Sequence, residues 1–252
     1  MAGLTADRRN RMAQILLQDG SIKVGDMAEH FQVSTETIRK DIIYLEEQGI
    51  AEKNHGGAIA KIELTEHTLD EKEWEHPEEK KKIAIAAAAM VHDHDTVILD
   101  AGSTTNAVAK QLMLKKNLTI ITNSVMTASI LADSDNTVFL VGGRVRQSSR
   151  AVVGGWALKI LDSVHANIAF LGSDGFKDLR GPACVSYDEA AFKNKVLESS
   201  KRTYVVADSS KCSSTSHFSY CPWEHVNGLI IDKNKKEIVK KMVGEKTEII
   251  FA

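Results

Sequence analysis

The chain has 252 residues, 43% of them hydrophobic, and a formal net charge of −2 at pH 7. That length holds one large domain or a small domain plus a medium one, and the apolar share suits a proper core. No apolar run reaches the roughly eighteen residues of a membrane-spanning helix, and with this charge any DNA-binding surface would need its basic residues gathered on one face.

The first residues, MAGLTADRRNRM, are basic without a following apolar stretch, so they do not read as a secretory signal. Cys184, Cys212 and Cys221 are an odd count with no pairing pattern. Both features suit a reducing cytoplasm, which is the expected localisation.

Arg8 to Leu17 carries Met12, Ile15 and Leu16 at helical spacing and is expected to stop at Asp19-Gly20. Val24 to Phe31 predicts a short second helix with Met27, Ala28 and Phe31 on one face. Ser34 has the chemistry of an N-cap for a third helix, Thr35 to Gln48, whose buried stripe is Ile38, Ile42 and Leu45 and which Gly49 ends. Ile50 to Lys53, the turn Asn54-His55-Gly56-Gly57 and Ala58-Ile59 predict a two-stranded wing. Residues 1–60 are therefore expected to form a winged helix-turn-helix.

Residues 61–80 are rich in Glu and Lys, contain Pro77, and read as a solvated linker that becomes helical near Glu78. From residue 81 to 252 short apolar runs alternate with helical stretches. The predicted strands are Thr96–Asp100, Leu118–Thr122, Thr137–Val141, Ile168–Gly172, Thr203–Ala207, Val226–Ile231 and Glu248–Phe251. The predicted helices are Ile83–Val91, Thr105–Leu112, Val125–Ala132, Ala157–Leu161, Glu189–Ser200 and Lys235–Val243. This rhythm predicts an α/β domain with a mostly parallel sheet covered on both faces.

In the helix-turn-helix the third helix would enter a major groove. Its first turns offer Thr35, Glu36, Thr37, Arg39, Lys40 and Tyr44; Arg39 can grip a guanine edge with two hydrogen bonds, and Thr35, Thr37 and Lys40 can reach bases or phosphates. Arg8, Arg9 and Arg11 are candidate backbone contacts. Glu36 and Lys40 are also four residues apart and can pair within the helix. Residues 1–60 hold seven Lys/Arg and nine Asp/Glu, so the acidic residues must face away from DNA. Protein docking through a helical hairpin stays open on these residues alone.

In the larger domain Asp100-Ala-Gly-Ser-Thr-Thr105 follows a strand and opens a helix. Free N–H groups and the hydroxyls of Ser103, Thr104 and Thr105 can cradle a phosphate there. It matches neither a P-loop nor a dinucleotide fingerprint, and no cofactor is expected. Thr122-Asn123-Ser124, Gly142-Gly143-Arg144 and Gly172-Ser173-Asp174-Gly175 leave strands in the same sense, and ligands of open α/β sheets bind at such ends. Arg144 is a candidate phosphate clamp. Lys211, in Asp208-Ser-Ser-Lys211, can add positive charge. Glu189 and Lys193, four apart on one helix, can pair with each other, or Glu189 can accept a sugar hydroxyl. Ser148-Ser149-Arg150 is a further loop for specificity.

VSTETIRKDIIYLEEQGIAEKNHGGA, residues 33–58, resembles the signature of the DeoR family of bacterial regulators of sugar metabolism. The stretches LDAGSTT, TNS, GGRVR, FLGSDG, YDEAAFK and VADSSK follow in the order of that family's effector domain. The resemblance implies a repressor of a carbohydrate-utilisation operon, with Ser34 to Lys40 at operator DNA and His55 in the wing. It implies an effector domain similar to ribose-5-phosphate isomerase that has lost catalysis and binds a phosphorylated sugar or related intermediate. Asp100, Gly102, Ser103, Thr104 and Thr105 would line that site. Asn123, Gly143, Arg144, Asp174, Glu189, Lys193 and Lys211 are secondary nominations. A homodimer or homotetramer is implied, and no membrane partner. One departure stands in the linker: an aromatic-x-x-arginine pair follows the wing in many members, whereas this segment has Trp74 as its only aromatic and no arginine.

Three other readings remain in view. An isomerase or lyase carrying a DNA module could use Asp100, Asp174, Glu189 and Lys211 for proton transfer. A metal sensor could use Cys212, His217 and Cys221, although they lack a Cys-x-x-Cys pair and a fourth ligand, so no metal is expected. A structural adaptor would bind no DNA at all.

Overall fold

The structure is a computed structural model that describes residues 2–19, 21–47, 50–60 and 67–252. The chain divides into two compact units, Met1–Thr65 and Glu66–Ala252.

In the first unit α1 (Ala2–Asp19) is followed by β1 (Ser21–Lys23), α2 (Val24–His30) and α3 (Thr35–Glu47), then by β2 (Ala51–Asn54) and β3 (Gly57–Ala60). Ser34 caps α3, its Oγ accepting the Thr37 N–H at 3.2 Å. The helices converge because Met12, Ala13 and Leu16 of α1, Val24 and Met27 of α2, and Ile38, Ile42 and Leu45 of α3 form one buried cluster of apolar faces. The wing is a three-stranded antiparallel sheet in the order β1-β3-β2. The sequence does not announce β1, which is only three residues long. Gly57 explains its docking: a side chain there would sit 2.0 Å from the Ile22 carbonyl oxygen, so the strands can approach only because this residue has no Cβ. The expected helix stops at Gly20 and Gly49 lie outside the described residues.

The second unit begins with α4 (Leu69–Trp74) and α5 (Pro77–Ala89). This differs from the expected solvated linker over 61–80. From residue 69 onward that segment is helical and packed, with Leu69 and Lys80 buried, and 61–66 lie outside the described residues. A Thr68–Glu71 capping box starts α4, and Pro77 occupies the first turn of α5. Next come β4 (Thr96–Leu99), α6 (Ser103–Leu112), β5 (Thr119–Thr122), α7 (Val125–Leu131) and β6 (Thr137–Leu140). A small hairpin, β7 (Arg144–Val145) and β8 (Val152–Val153), precedes α8 (Gly155–Leu161) and β9 (Ile168–Gly172). Then follow β10 (Ala183–Cys184), α9 (Tyr187–Ser199), β11 (Thr203–Val206), β12 (Phe218–Ser219), β13 (Gly228–Ile231), α10 (Lys236–Val243) and β14 (Glu248–Phe251).

Seven of these strands form a fully parallel sheet in the order β14-β13-β11-β9-β4-β5-β6. They are the seven runs expected from the sequence. Alternate residues feed two cores. Val97, Leu99, Ile120 and Phe170 face α5 and α6, while Ile98, Ile121, Ala169 and Leu171 face α8 and α9. The chain runs β4-β5-β6 outward, then returns to lay β9 on the other side of β4. The loops after β4 and β9 therefore diverge from adjacent strands and open a crevice between them, the usual ligand position in such sheets.

Candidate DNA-reading face and ligand cleft

On α3, Thr35, Glu36, Arg39 and Lys40 are exposed and Thr37 is half-buried, so the helix presents a polar face opposite its apolar stripe. The Thr37 and Ser34 hydroxyls lie 2.9 Å apart. Arg39 lies 3.6 Å from Glu36, one turn away, so Glu36 leans on Arg39 and not on Lys40. His55 and Gly56 form the exposed two-residue turn of the wing, with Gly56 at φ +91. Arg8 and Arg9 are placed differently from expectation. Their Nε atoms lie 2.6 and 2.7 Å from the two carboxylate oxygens of buried Asp41, and the Arg9 guanidinium stacks 4.1 Å over the Tyr44 ring. Both tie α1 to α3. Asp41 is the missed residue here. Its sign was in the sequence, as a charge on the helix face that also carries Ile38, Ile42 and Leu45.

The crevice between β4 and β9 is a cleft open to solvent. Its lining includes Gly102, Ser103, Thr104, Asp174, Glu189, Lys193 and Lys211. Gly102 precedes α6 with φ +159, and its carbonyl accepts the Asn106 N–H at 2.9 Å. The first amides of α6 have no partner within the helix. Among the described residues the Ser103 and Thr104 hydroxyls make no hydrogen bond. Thr105 is turned the other way, its hydroxyl donating to the Gly102 carbonyl at 2.9 Å.

Three carboxylates at the cleft are each held by a cation. Buried Asp100 pairs with buried Lys193 and also accepts the Gly172 N–H at 3.1 Å; its other oxygen has no partner among the described residues. Burial opposes the charge on Lys193, but Asp100 outweighs it and holds the ammonium above the ordinary lysine value. Asp174 lies 2.7 Å from Lys72. Burial pushes its carboxyl up, yet Lys72, Lys193 and the Val185 N–H together bring it below the usual range. Glu189 is raised by burial, against the opposing pull of Arg146; Arg146 lies at 2.5 Å and the Ser149 hydroxyl at 2.6 Å. Glu189 and Lys193 thus do not pair with each other. Lys211 lines the cleft without a side-chain partner among the described residues.

Five nominated residues do not line the cleft: Asp100 and Thr105, both fully buried, and Asn123, Gly143 and Arg144. Arg144 is exposed and pairs with Asp188 at 2.7 Å; Arg146, just past the end of β7, is the arginine that reaches the site, at Glu189. A side chain at Gly143 would sit 2.5 Å from the Val153 carbonyl oxygen, so this glycine serves the β7–β8 hairpin. Asn123 is buried, with neither side-chain atom partnered among the described residues. Sequence reasoning also missed Leu69 and Lys72, which line the cleft from α4. They stand three residues apart, in the segment that carries neither the aromatic nor the arginine of the family pair.

Cys212 and Cys221 are buried free thiols, and burial pushes Cys221 up to about 12. Among the described residues no three His, Cys, Asp or Glu side chains converge on a possible metal position. No helix among them is long and apolar enough to cross a membrane.

A winged helix-turn-helix and a separate parallel α/β unit with a polar cleft at its switch point define a DNA-binding regulator with a sensor domain. Residues 8–63 match the model of the DeoR-like helix-turn-helix domain, and residues 75–233 match that of the DeoR C terminal sensor domain. The chain is 32% identical to a lactose phosphotransferase system repressor of Staphylococcus epidermidis, over 94% of this chain and 97% of that one. It is 33% identical to the HTH-type transcriptional regulator GolR of Listeria innocua (93% and 94% covered) and 32% identical to the HTH-type transcriptional repressor GlcR of Bacillus subtilis (90% and 88% covered). This chain belongs to the DeoR family of DNA-binding transcriptional regulators. Among solved structures, ribose 5-phosphate isomerase A of Methanocaldococcus jannaschii aligns with 52% of each chain at TM-score 0.38 and 18% identity. The sorbitol operon regulator SorC of Klebsiella pneumoniae aligns with 91% of this chain and 96% of that one at TM-score 0.40 and 10% identity.

Proposed function

We propose that this chain represses a carbohydrate-utilisation operon and leaves its operator when a phosphorylated sugar or related intermediate fills the cleft. The observation that carries the reading is the cleft itself. Its lining offers the unpaired amides of α6, the Ser103 and Thr104 hydroxyls and the Lys211 ammonium, groups that suit a phosphate. Toward Glu189 and Ser149 it offers acceptors and donors suited to hydroxyls. Every carboxylate in it already has its cation, so Lys211 supplies charge for an incoming anion. A relative named as a lactose phosphotransferase system repressor supports the same reading. Ser34, Thr35, Thr37, Arg39, Lys40 and His55 are the DNA-facing set, with Arg8 and Arg9 supporting α3 from behind. A homo-oligomer would place two such heads on repeated half-sites. The polar groups of the cleft serve binding and carry out no reaction.

Two substitutions test the halves separately. Arg39→Ala is expected to weaken binding to a specific operator fragment by about 1–3 kcal/mol, with a smaller loss on unrelated DNA. An equal loss on all sequences would mean a phosphate contact and no base reading. Thr104→Val is expected to leave operator affinity within about twofold and to raise the effector concentration for half-release about tenfold. Unchanged release in a band-shift titration would remove Thr104 from the site.

A further inference from the structure

The helix α4 has six residues, too few to hold its shape alone. Its fastenings are mostly polar and lead to the walls of the cleft. The Leu69 N–H donates to the Ser148 carbonyl at 2.8 Å, Arg150 pairs with Asp70 at 2.6 Å, and Asn106 of α6 donates to Glu73 at 3.0 Å. Lys80 of α5 donates to the carbonyls of Lys72 and Glu75. Leu69 is the one side chain of α4 that is fully buried, and with Lys72 it forms part of the cleft lining. Of the three lysines in that lining, Lys193 is enclosed and committed to Asp100, and Lys211 stands on a 3-10 turn, Ser209–Cys212, that the Asp208 and Asp232 carboxylates pin at its start. Lys72 stands on α4, whose fastenings run to three other parts of the cleft wall. Its side chain keeps about 20% of its surface open.

We propose that Lys72 is an effector-binding residue whose ammonium takes an oxygen of a bound phosphate monoester, so that an occupied cleft holds α4 more firmly than an empty one. This rests on the phosphate reading of the cleft and adds a regulatory consequence to it. A phosphate brings up to two negative charges beside Asp174, and Lys72 is the cation already positioned there. Because α4 is the first described helix of the second unit, ligand occupancy acts at the end of that unit that follows the reading unit in the chain.

Hydrogen exchange on the full chain, titrated with inorganic phosphate against chloride at equal ionic strength, tests this. Peptides covering 101–106 and peptides covering 68–75 are both expected to slow, with the same phosphate midpoint. In Lys72→Met the slowing at 68–75 is expected to vanish, while that at 101–106 persists with a midpoint raised about tenfold. Lys72→Arg, which keeps the charge, is expected to retain both responses. Slowing at 101–106 alone in the unaltered chain overturns the role of Lys72 and leaves the cleft reading intact. No slowing at 101–106 at any phosphate concentration overturns the cleft reading itself.

Discussion

Replacing Lys193 with Met is expected to destabilise the unit Glu66–Ala252 by about 3–5 kcal/mol, the largest effect of any single change considered. Lys193 and Asp100 keep only 3% and 1% of their side-chain surface exposed. Without the ammonium, Asp100 would be a buried carboxylate with a single N–H donor, from Gly172. The penalty comes from that stranded charge more than from the lost attraction. The double change Lys193→Met with Asp100→Leu is therefore expected to recover most of the loss, since it removes the charge as well. Lys193 is held above the ordinary lysine value, so its contribution is complete below the unfolded value of about 10.4 and disappears only as the pH climbs past it. The share of the gap that belongs to Lys193 is thus expected to fall only above about pH 10. Urea unfolding followed by the fluorescence of buried Trp223 measures it; a loss below about 1 kcal/mol would mean that the pair carries little of the fold.

The second large effect is expected at Asp41. Asp41→Ala removes the acceptor that draws Arg8 and Arg9 onto α3. The carboxylate is 1% exposed, but the arginines keep 16% and 29% of their side-chain surface, so solvent screens part of the interaction. A loss of about 2–3 kcal/mol in the reading unit is expected, together with loss of specific DNA binding as α3 shifts against α1. Exchange protection in the sensor unit is expected to be unchanged. Intact operator binding in this variant would show that α3 is held by its apolar stripe alone.

The sheet was legible in the sequence because each central strand is buried on both faces and so reads as an uninterrupted apolar run, as in Ile168–Gly172 and Thr203–Val206. The third helix was legible through its cap at Ser34 and its stripe Ile38, Ile42 and Leu45. The helix α4 was not. LDEKEW offers one apolar residue that becomes buried, and its stability comes from tertiary contacts with Ser148, Arg150 and Asn106, distant in the chain. The cleft was half legible. Gly102, Ser103 and Thr104 follow from the strand-to-helix turn, and Lys211 from its position after a strand. The choice between Arg144 and Arg146 was hidden, because it depends on partners distant in the chain, Asp188 for the one and Glu189 for the other. The pairing of Lys193 with Asp100, 93 positions away, was equally hidden behind the nearer partner Glu189.

The most direct test of a repressor released by a sugar phosphate is the affinity of the chain for DNA fragments from upstream of its own gene and its neighbours, measured with and without a panel of phosphorylated sugars and their unphosphorylated counterparts. The account predicts tight binding to one fragment that falls at least tenfold with one phosphorylated compound and is unaffected by its unphosphorylated form. Specific binding indifferent to every phosphorylated compound, or released equally by the free sugar, would contradict it.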